Sequence, residues 1–237
     1  MPPSTDYHWI NSGSSIPKHP SLNGQLTEVT DMNDGYADIL NSIASSDPTP
    51  GGGSVAALAL SHAHALAAMV SRLTIGREKW KDGHATAEEI IANSEERIEE
   101  SIVMAREDAE SFDRVMMAYR LPRNNEDEIE ARKASIRDAT IGAANSPLKI
   151  ANSSLQLLDS IIDLAKFGNS NALTDLAASA ELAKASFVIA SMNVRINLDS
   201  IDGKECESIS SRLSSLESDV DARYTNLREI IDERLGW

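Results

Sequence analysis

A chain of 237 residues with 41% hydrophobic content is long enough for one domain with a substantial core. Its 22 Lys and Arg stand against 37 Asp and Glu, a formal charge of -15, which excludes a general nucleic-acid surface because phosphate binding needs a positive field. Aromatic residues make up 4% while Ala, Ser, Leu and Ile abound, favouring closely packed helices over a β-sandwich, and the single cysteine, Cys206, leaves no internal disulfide.

Residues 1–30 carry Pro2, Pro3, Pro17 and Pro20 among Ser, Asn and Gly without periodicity, so they read as an extended arm ahead of a helical domain over 31–237. Between Asp31 and Ser46, Tyr36, Ile39, Leu40 and Ile43 fall at i, i+3, i+4 and i+7, which predicts a short amphipathic helix ending before Pro48. The turn Pro48-Thr49-Pro50-Gly51-Gly52-Gly53-Ser54 follows. Three successive glycines strip side chains from the bend, and Ser54 is placed to cap a helix whose free N–H groups would cradle an anion or polar ligand. Neither the dinucleotide pattern nor the GxxxxGK[ST] phosphate loop is present, and close helix packing accounts for the glycines equally well.

Val55 to Thr74 is apolar on most faces, as at the centre of a bundle. Ser61, His62 and His64 interrupt its apolar tract, so it reads as a buried core helix rather than a membrane span, and the expected compartment is the cytoplasm. His62 and His64 lie about 200° apart on a helix and cannot share a metal; each reads as a satisfied core or interface histidine. Arg72, Arg77, Lys79 and Lys81 then concentrate positive charge in an otherwise acidic chain, the natural landing point for an anionic small molecule.

Residues 85–118 form the longest periodic stretch, with Ile91, Ile98, Ile102, Ala105, Ala109, Phe112 and Met116 in one stripe. Asp108 sits at the edge of that stripe beside Phe112 and Tyr119, placed to be half-buried, whereas Glu107 and Glu110 turn away. After the break at Leu121-Pro122 a peripheral helix runs from Glu126 to Ala144, and Ser146-Pro147 marks a break or kink before Leu148 to Phe167. Gly168-Asn169-Ser170-Asn171-Ala172-Leu173-Thr174-Asp175 combines a C-cap glycine with a first-turn acid of the next helix, 173–200, whose alanines let backbones approach closely. At its far end Asn193, Arg195 and Asn197 are polar residues in an apolar setting. A last helix over 205–234, with Ile209, Leu213, Leu216, Val220, Tyr224 and Leu227, suits a bundle edge or a dimer seam. The class is all-α, a bundle of long helices.

Together, the glycine turn, Leu73-Thr74-Ile75-Gly76-Arg77-Glu78-Lys79-Trp80, Asp108-Ala109-Glu110-Ser111-Phe112-Asp113-Arg114-Val115-Met116 with Tyr119-Arg120-Leu121-Pro122, and the Gly168–Asp175 segment resemble the cyclodeaminase/cyclohydrolase family of folate enzymes. So does Asn193-Val194-Arg195-Ile196-Asn197-Leu198, and the match runs in order from about Asp34 onward. The resemblance implies a helical bundle that forms a homodimer and handles the one-carbon unit bridging N5 and N10 of tetrahydrofolate, a substrate rather than a resident cofactor. Such chemistry requires no metal or bound cofactor, and the charge balance and the interrupted apolar tract already argue against a nucleic-acid or membrane partner. One reaction of the family hydrolyses 5,10-methenyltetrahydrofolate to 10-formyltetrahydrofolate; the other closes 5-formiminotetrahydrofolate to the methenyl compound with loss of ammonia. No formiminotransferase module accompanies the helical part, which puts hydrolysis first, deamination second and a non-catalytic folate-binding or interaction module third.

By the same resemblance Asp108 and Asp175 are the candidate catalytic carboxylates. Gly51, Gly52, Gly53 and Ser54 would offer backbone N–H groups, Arg77 and Lys79 would meet the carboxylates of the folate tail, and Asn169 and Asn171 would face the pterin edge. The family's usual lysine run and Gly/Ala-rich continuation are replaced here by Gly76-Arg77-Glu78-Lys79 and Ser61-His62-Ala63-His64.

Overall fold

The computed structural model describes residues 35–237, so the expected arm at 1–30 lies outside the described residues. Taken by itself, the first helix, α1, spans Tyr36–Ile43 and buries none of its residues. The remaining helices are α2 (Gly52–Thr74), α3 (His84–Tyr119), α4 (Glu126–Ser160), α5 (Ile162–Phe167), α6 (Leu173–Leu198) and α7 (Lys204–Leu235). Two 3-10 turns, Glu78–Gly83 and Ser170–Ala172, join them, and no strand occurs among the described residues.

Four long helices close a bundle. α2 packs on α3 and α6, α4 packs on the same two, and α7 lies along α4 and α6. Small residues set how near they come. Ala56, Ala57, Ala63, Ala67 and Ala68 of α2 are wholly buried, as are Ala180, Ala183 and Ala190 of α6. Ser179 Oγ donates directly to the Ala63 carbonyl at 2.7 Å, a bond possible only where backbones are close. Larger side chains, including Leu60, Ile150, Leu157, Leu158 and Leu176, fill the space between, each worth about 1.5–3 kcal/mol of burial. α2 is long and apolar enough to cross a membrane, but here its apolar residues form the centre of this core. In α7 the row Ile209, Leu213, Leu216, Val220 and Leu227 is buried within its own chain, making it the bundle edge of the two expectations.

The buried face of α3 is not the expected stripe. Ala87, Ser94, Ser101, Ala105, Ser111 and Ala118 are buried, while Ile102, Phe112 and Met116 are 46%, 38% and 38% exposed. The fully buried positions of α3 are all small residues, with Ile90 and Met104 packed beside them at the edge of the core. Its serines carry their own partners, Ser101 Oγ donating to the Arg97 carbonyl at 2.8 Å and Ser94 Oγ to that of Ile91 at 2.9 Å. Asp108 therefore belongs to the seven-residue row of Ala87, Ser94 and Ser101, not to the edge of a bulky stripe.

The expected break at Pro147 is absent, and α4 runs through it. Proline removes the N–H that would bond the carbonyl four residues back, which is Ala143. Asn197 Nδ2 on α6 donates to that carbonyl at 2.9 Å and to the Asn193 carbonyl at 2.8 Å, so the orphaned acceptor is satisfied from a neighbouring helix. Replacing Asn197 by Leu is expected to cost about 1–3 kcal/mol in urea denaturation, and less in a Pro147→Ala background, where the helix supplies its own donor.

His64 is buried, but it is not satisfied. Its Nε2 has no hydrogen-bond partner among the described residues, and burial together with the Arg97 charge lowers its pKa from 6.5 to about 4. The unfolded chain binds a proton on this ring below pH 6.5 and the folded chain does so only below about 4. Its contribution to stability is therefore intact above pH 6.5 and lost as the pH falls between these values. Wild type is expected to lose on the order of 3 kcal/mol more than His64→Gln between pH 7 and pH 4, read by chemical denaturation at each pH.

Candidate active site

The glycine turn enters α2 at Gly52, with Gly51 as N-cap and no side chain capping it. Ser54 is not the cap. It is the third residue of the helix, and its Oγ donates to the Ala105 carbonyl at 2.9 Å and reaches Asp108 Oδ2 at 3.5 Å. The first N–H groups of any helix lack intrahelical acceptors, and here Asp108 on α3 is the carboxylate brought to that end.

Gly53 explains how it gets so near. A Cβ added there would lie 2.5 Å from Asp108 Cγ, so the carboxylate occupies the space a side chain would need. Burial pushes the Asp108 pKa above the ordinary carboxylate value, while hydrogen bonds from the Ser54 hydroxyl and backbone N–H pull it partly back. A half-buried carboxylate beside helix-end donors, with its proton affinity raised, can accept a proton and return it.

The predicted residues divide between two ends of α2. Gly51, Gly52, Gly53, Ser54 and Asp108 gather at its N-terminus. Asn169 is at the other end, its backbone N–H bonding Thr74 Oγ1 at 3.0 Å and its Nδ2 the Leu73 carbonyl at 2.9 Å. Asn169 Oδ1 accepts from the Asn171 backbone N–H at 3.0 Å, so its carboxamide builds the turn it sits in rather than presenting a free edge. Arg77 and Lys79 are exposed just beyond α2, with Lys79 Nζ 4.3 Å from the centroid of the Trp80 ring. Asp175 is half-buried in the first turn of α6, one turn before Ser179, the residue bonded to Ala63. Ten helical residues separate Gly53 from Ala63, so Asp175 stands more than about 15 Å along α2 from the Asp108 carboxylate of its own chain.

One residue at the Asp108 end escaped sequence reasoning as a site residue. Asn193 of α6 lies over Gly52, its Nδ2 3.6 Å from where a Gly52 Cβ would stand. The only sequence signal was a polar residue in the apolar setting of α6.

Three comparisons with known proteins bear on this geometry. A family model described as formiminotransferase-cyclodeaminase matches residues 36–215. A methenyltetrahydrofolate cyclohydrolase from Methylorubrum extorquens is 34% identical over 73% of this chain and 83% of its own length. The formimidoyltransferase-cyclodeaminase of Rattus norvegicus is 33% identical over 70% of this chain, which spans 31% of that longer protein. Among solved structures, formiminotetrahydrofolate cyclodeaminase from Thermotoga maritima superposes with a TM-score of 0.76 at 28% identity, over 85% of this chain and 97% of that one.

Proposed function

This chain belongs to the formiminotransferase-cyclodeaminase family, and from that premise we propose that it hydrolyses 5,10-methenyltetrahydrofolate to 10-formyltetrahydrofolate. The observation that carries the proposal is the Asp108 carboxylate seated on Gly53 at the start of α2. Methenyltetrahydrofolate is a cation at the bridging carbon, and a carboxylate beside it stabilises that charge. Water attacks the carbon and gives a proton to Asp108, forming a neutral hydroxyl adduct. The bond from carbon to N5 then breaks as Asp108 returns its proton to N5, and the adduct's hydroxyl proton leaves to solvent as the formyl C=O forms. The net products are 10-formyltetrahydrofolate and one proton.

Cyclodeamination is the second reading, favoured by the Thermotoga maritima neighbour. There N10 attacks the carbon of the protonated formimino group, Asp108 takes the N10 proton and passes it to the amino group of the adduct, and ammonia leaves as the methenyl cation forms. Absorbance of the methenyl chromophore separates the two. Its loss supports hydrolysis, its appearance from 5-formiminotetrahydrofolate supports deamination, and no change with either compound contradicts both.

The working unit we propose is a homodimer. α2 and α6 are antiparallel, with Gly52 near Asn193 at one end and Thr74 near Asn169 at the other. Antiparallel packing of two copies would place the Asp175 end of one against the Asp108 end of its partner. Exposed Val188, Met192 and Ile196, at four-residue steps on α6, support a face that a second copy covers.

A further inference from the structure

We infer that Asn193 orients the water that Asp108 deprotonates, its carboxamide oxygen holding the second hydrogen of the nucleophile. The inference rests on the hydrolytic reading above and adds a substrate-side residue to it. Asn193 and Asp108 stand over consecutive glycines, Asn193 against Gly52 and Asp108 against Gly53. Adjacent Cα atoms are about 3.8 Å apart, so the two side chains reach successive residues in the first turn of α2, about 100° apart around its axis, one from α6 and one from α3.

The amide's orientation is fixed by what it already does. Asn193 Nδ2 donates to the Ile189 carbonyl at 2.8 Å, and the reversed amide would set oxygen against oxygen. Oδ1 is the end left over. It accepts no hydrogen bond from the described residues, and it is not among the sealed polar atoms, so it remains open to solvent. Asn197, one turn on, is committed to the Ala143 and Asn193 carbonyls, which separates the two asparagines of this segment into one that holds the bundle and one with a free acceptor.

Water has two O–H bonds, and a nucleophilic water must aim a lone pair at the bridging carbon. Donating one hydrogen to Asp108 and the other to Asn193 Oδ1 leaves the lone pairs as the free face. When the O–C bond forms, the first hydrogen passes to Asp108 as a proton, and the second stays on the adduct's hydroxyl, still held by Asn193, until the formyl group forms and it leaves to solvent.

The test compares Asn193→Leu and Asn193→Asp in the full chain, with kcat and KM for 5,10-methenyltetrahydrofolate read from loss of the chromophore. Asn193→Leu is expected to lower kcat about 10²-fold with KM little changed. Asn193→Asp, which keeps an acceptor oxygen but loses the donor to Ile189, should retain the larger part of kcat. If only the donor mattered, Asp and Leu would fail alike, and that result overturns the proposal. Wild-type kcat in Asn193→Leu, or a loss confined to KM, overturns it too. A wild type that leaves the chromophore unchanged contradicts the hydrolytic reading and the proposal with it; an active wild type matched by Asn193→Leu contradicts the proposal alone.

Discussion

Gly53→Ala is expected to lower turnover about a hundredfold while leaving a folded helical protein. The added methyl would lie 2.5 Å from Asp108 Cγ, so either the carboxylate withdraws or α2 and α3 separate locally. The carboxylate is the cheaper to move, since Ala57, Leu60 and Ala105 behind it are buried and hold the helices together. A shift of an ångström takes Asp108 away from the donors that start α2, so the loss should appear in kcat with helicity by circular dichroism unchanged. Gly142→Ala is the control, because a Cβ there meets nothing within 4 Å.

In the homodimer proposed above, Asp108 of one copy and Asp175 of the other would serve one reaction. Asp108→Asn and Asp175→Asn are each expected to lower turnover by at least about 10²-fold, and refolding them together should restore activity. A mixed dimer of the proposed kind would hold one site with both substitutions and one with Asp108 of one chain and Asp175 of its partner intact. Random association makes about half the dimers mixed, each with one intact site of two, so recovery should approach about a quarter of wild-type turnover. Activity no higher than that of the parents after mixing would contradict a shared site.

The all-α class and the end of α2 at Thr74 follow from local patterns, and these were legible; the start was not, since α2 begins at Gly52 and not behind Ser54. Three glycines before an apolar helix imply a close neighbour, whatever it is. What sequence periodicity misjudged was which face of α3 lies inside. The rule that bulky residues are buried fails on α3, where alanines and serines fill the inner face and Ile102 and Phe112 lie on the outer one. The seven-residue spacing of Ala87, Ser94, Ser101 and Asp108 is the signal that would have found it.

Ser54 reads as a cap from its neighbours alone; only the Ala105 carbonyl, 51 residues on, claims its hydroxyl. Pro147 reads as a break because its rescue by Asn197 is 54 residues from the orphaned carbonyl. The distance between Asp108 and Asp175 depends on the antiparallel direction of α6 against α2, which no local pattern contains.

In the proposed reaction the carboxylate seated on Gly53 acts at the methenyl carbon. The most direct measurement is the rate at which wild type and Asp108→Asn, matched for helicity, remove the chromophore of 5,10-methenyltetrahydrofolate above its spontaneous hydrolysis. Wild type is predicted to accelerate the loss and Asp108→Asn to reduce that acceleration by about 10²- to 10⁴-fold. Equal rates for the two proteins would contradict the assignment.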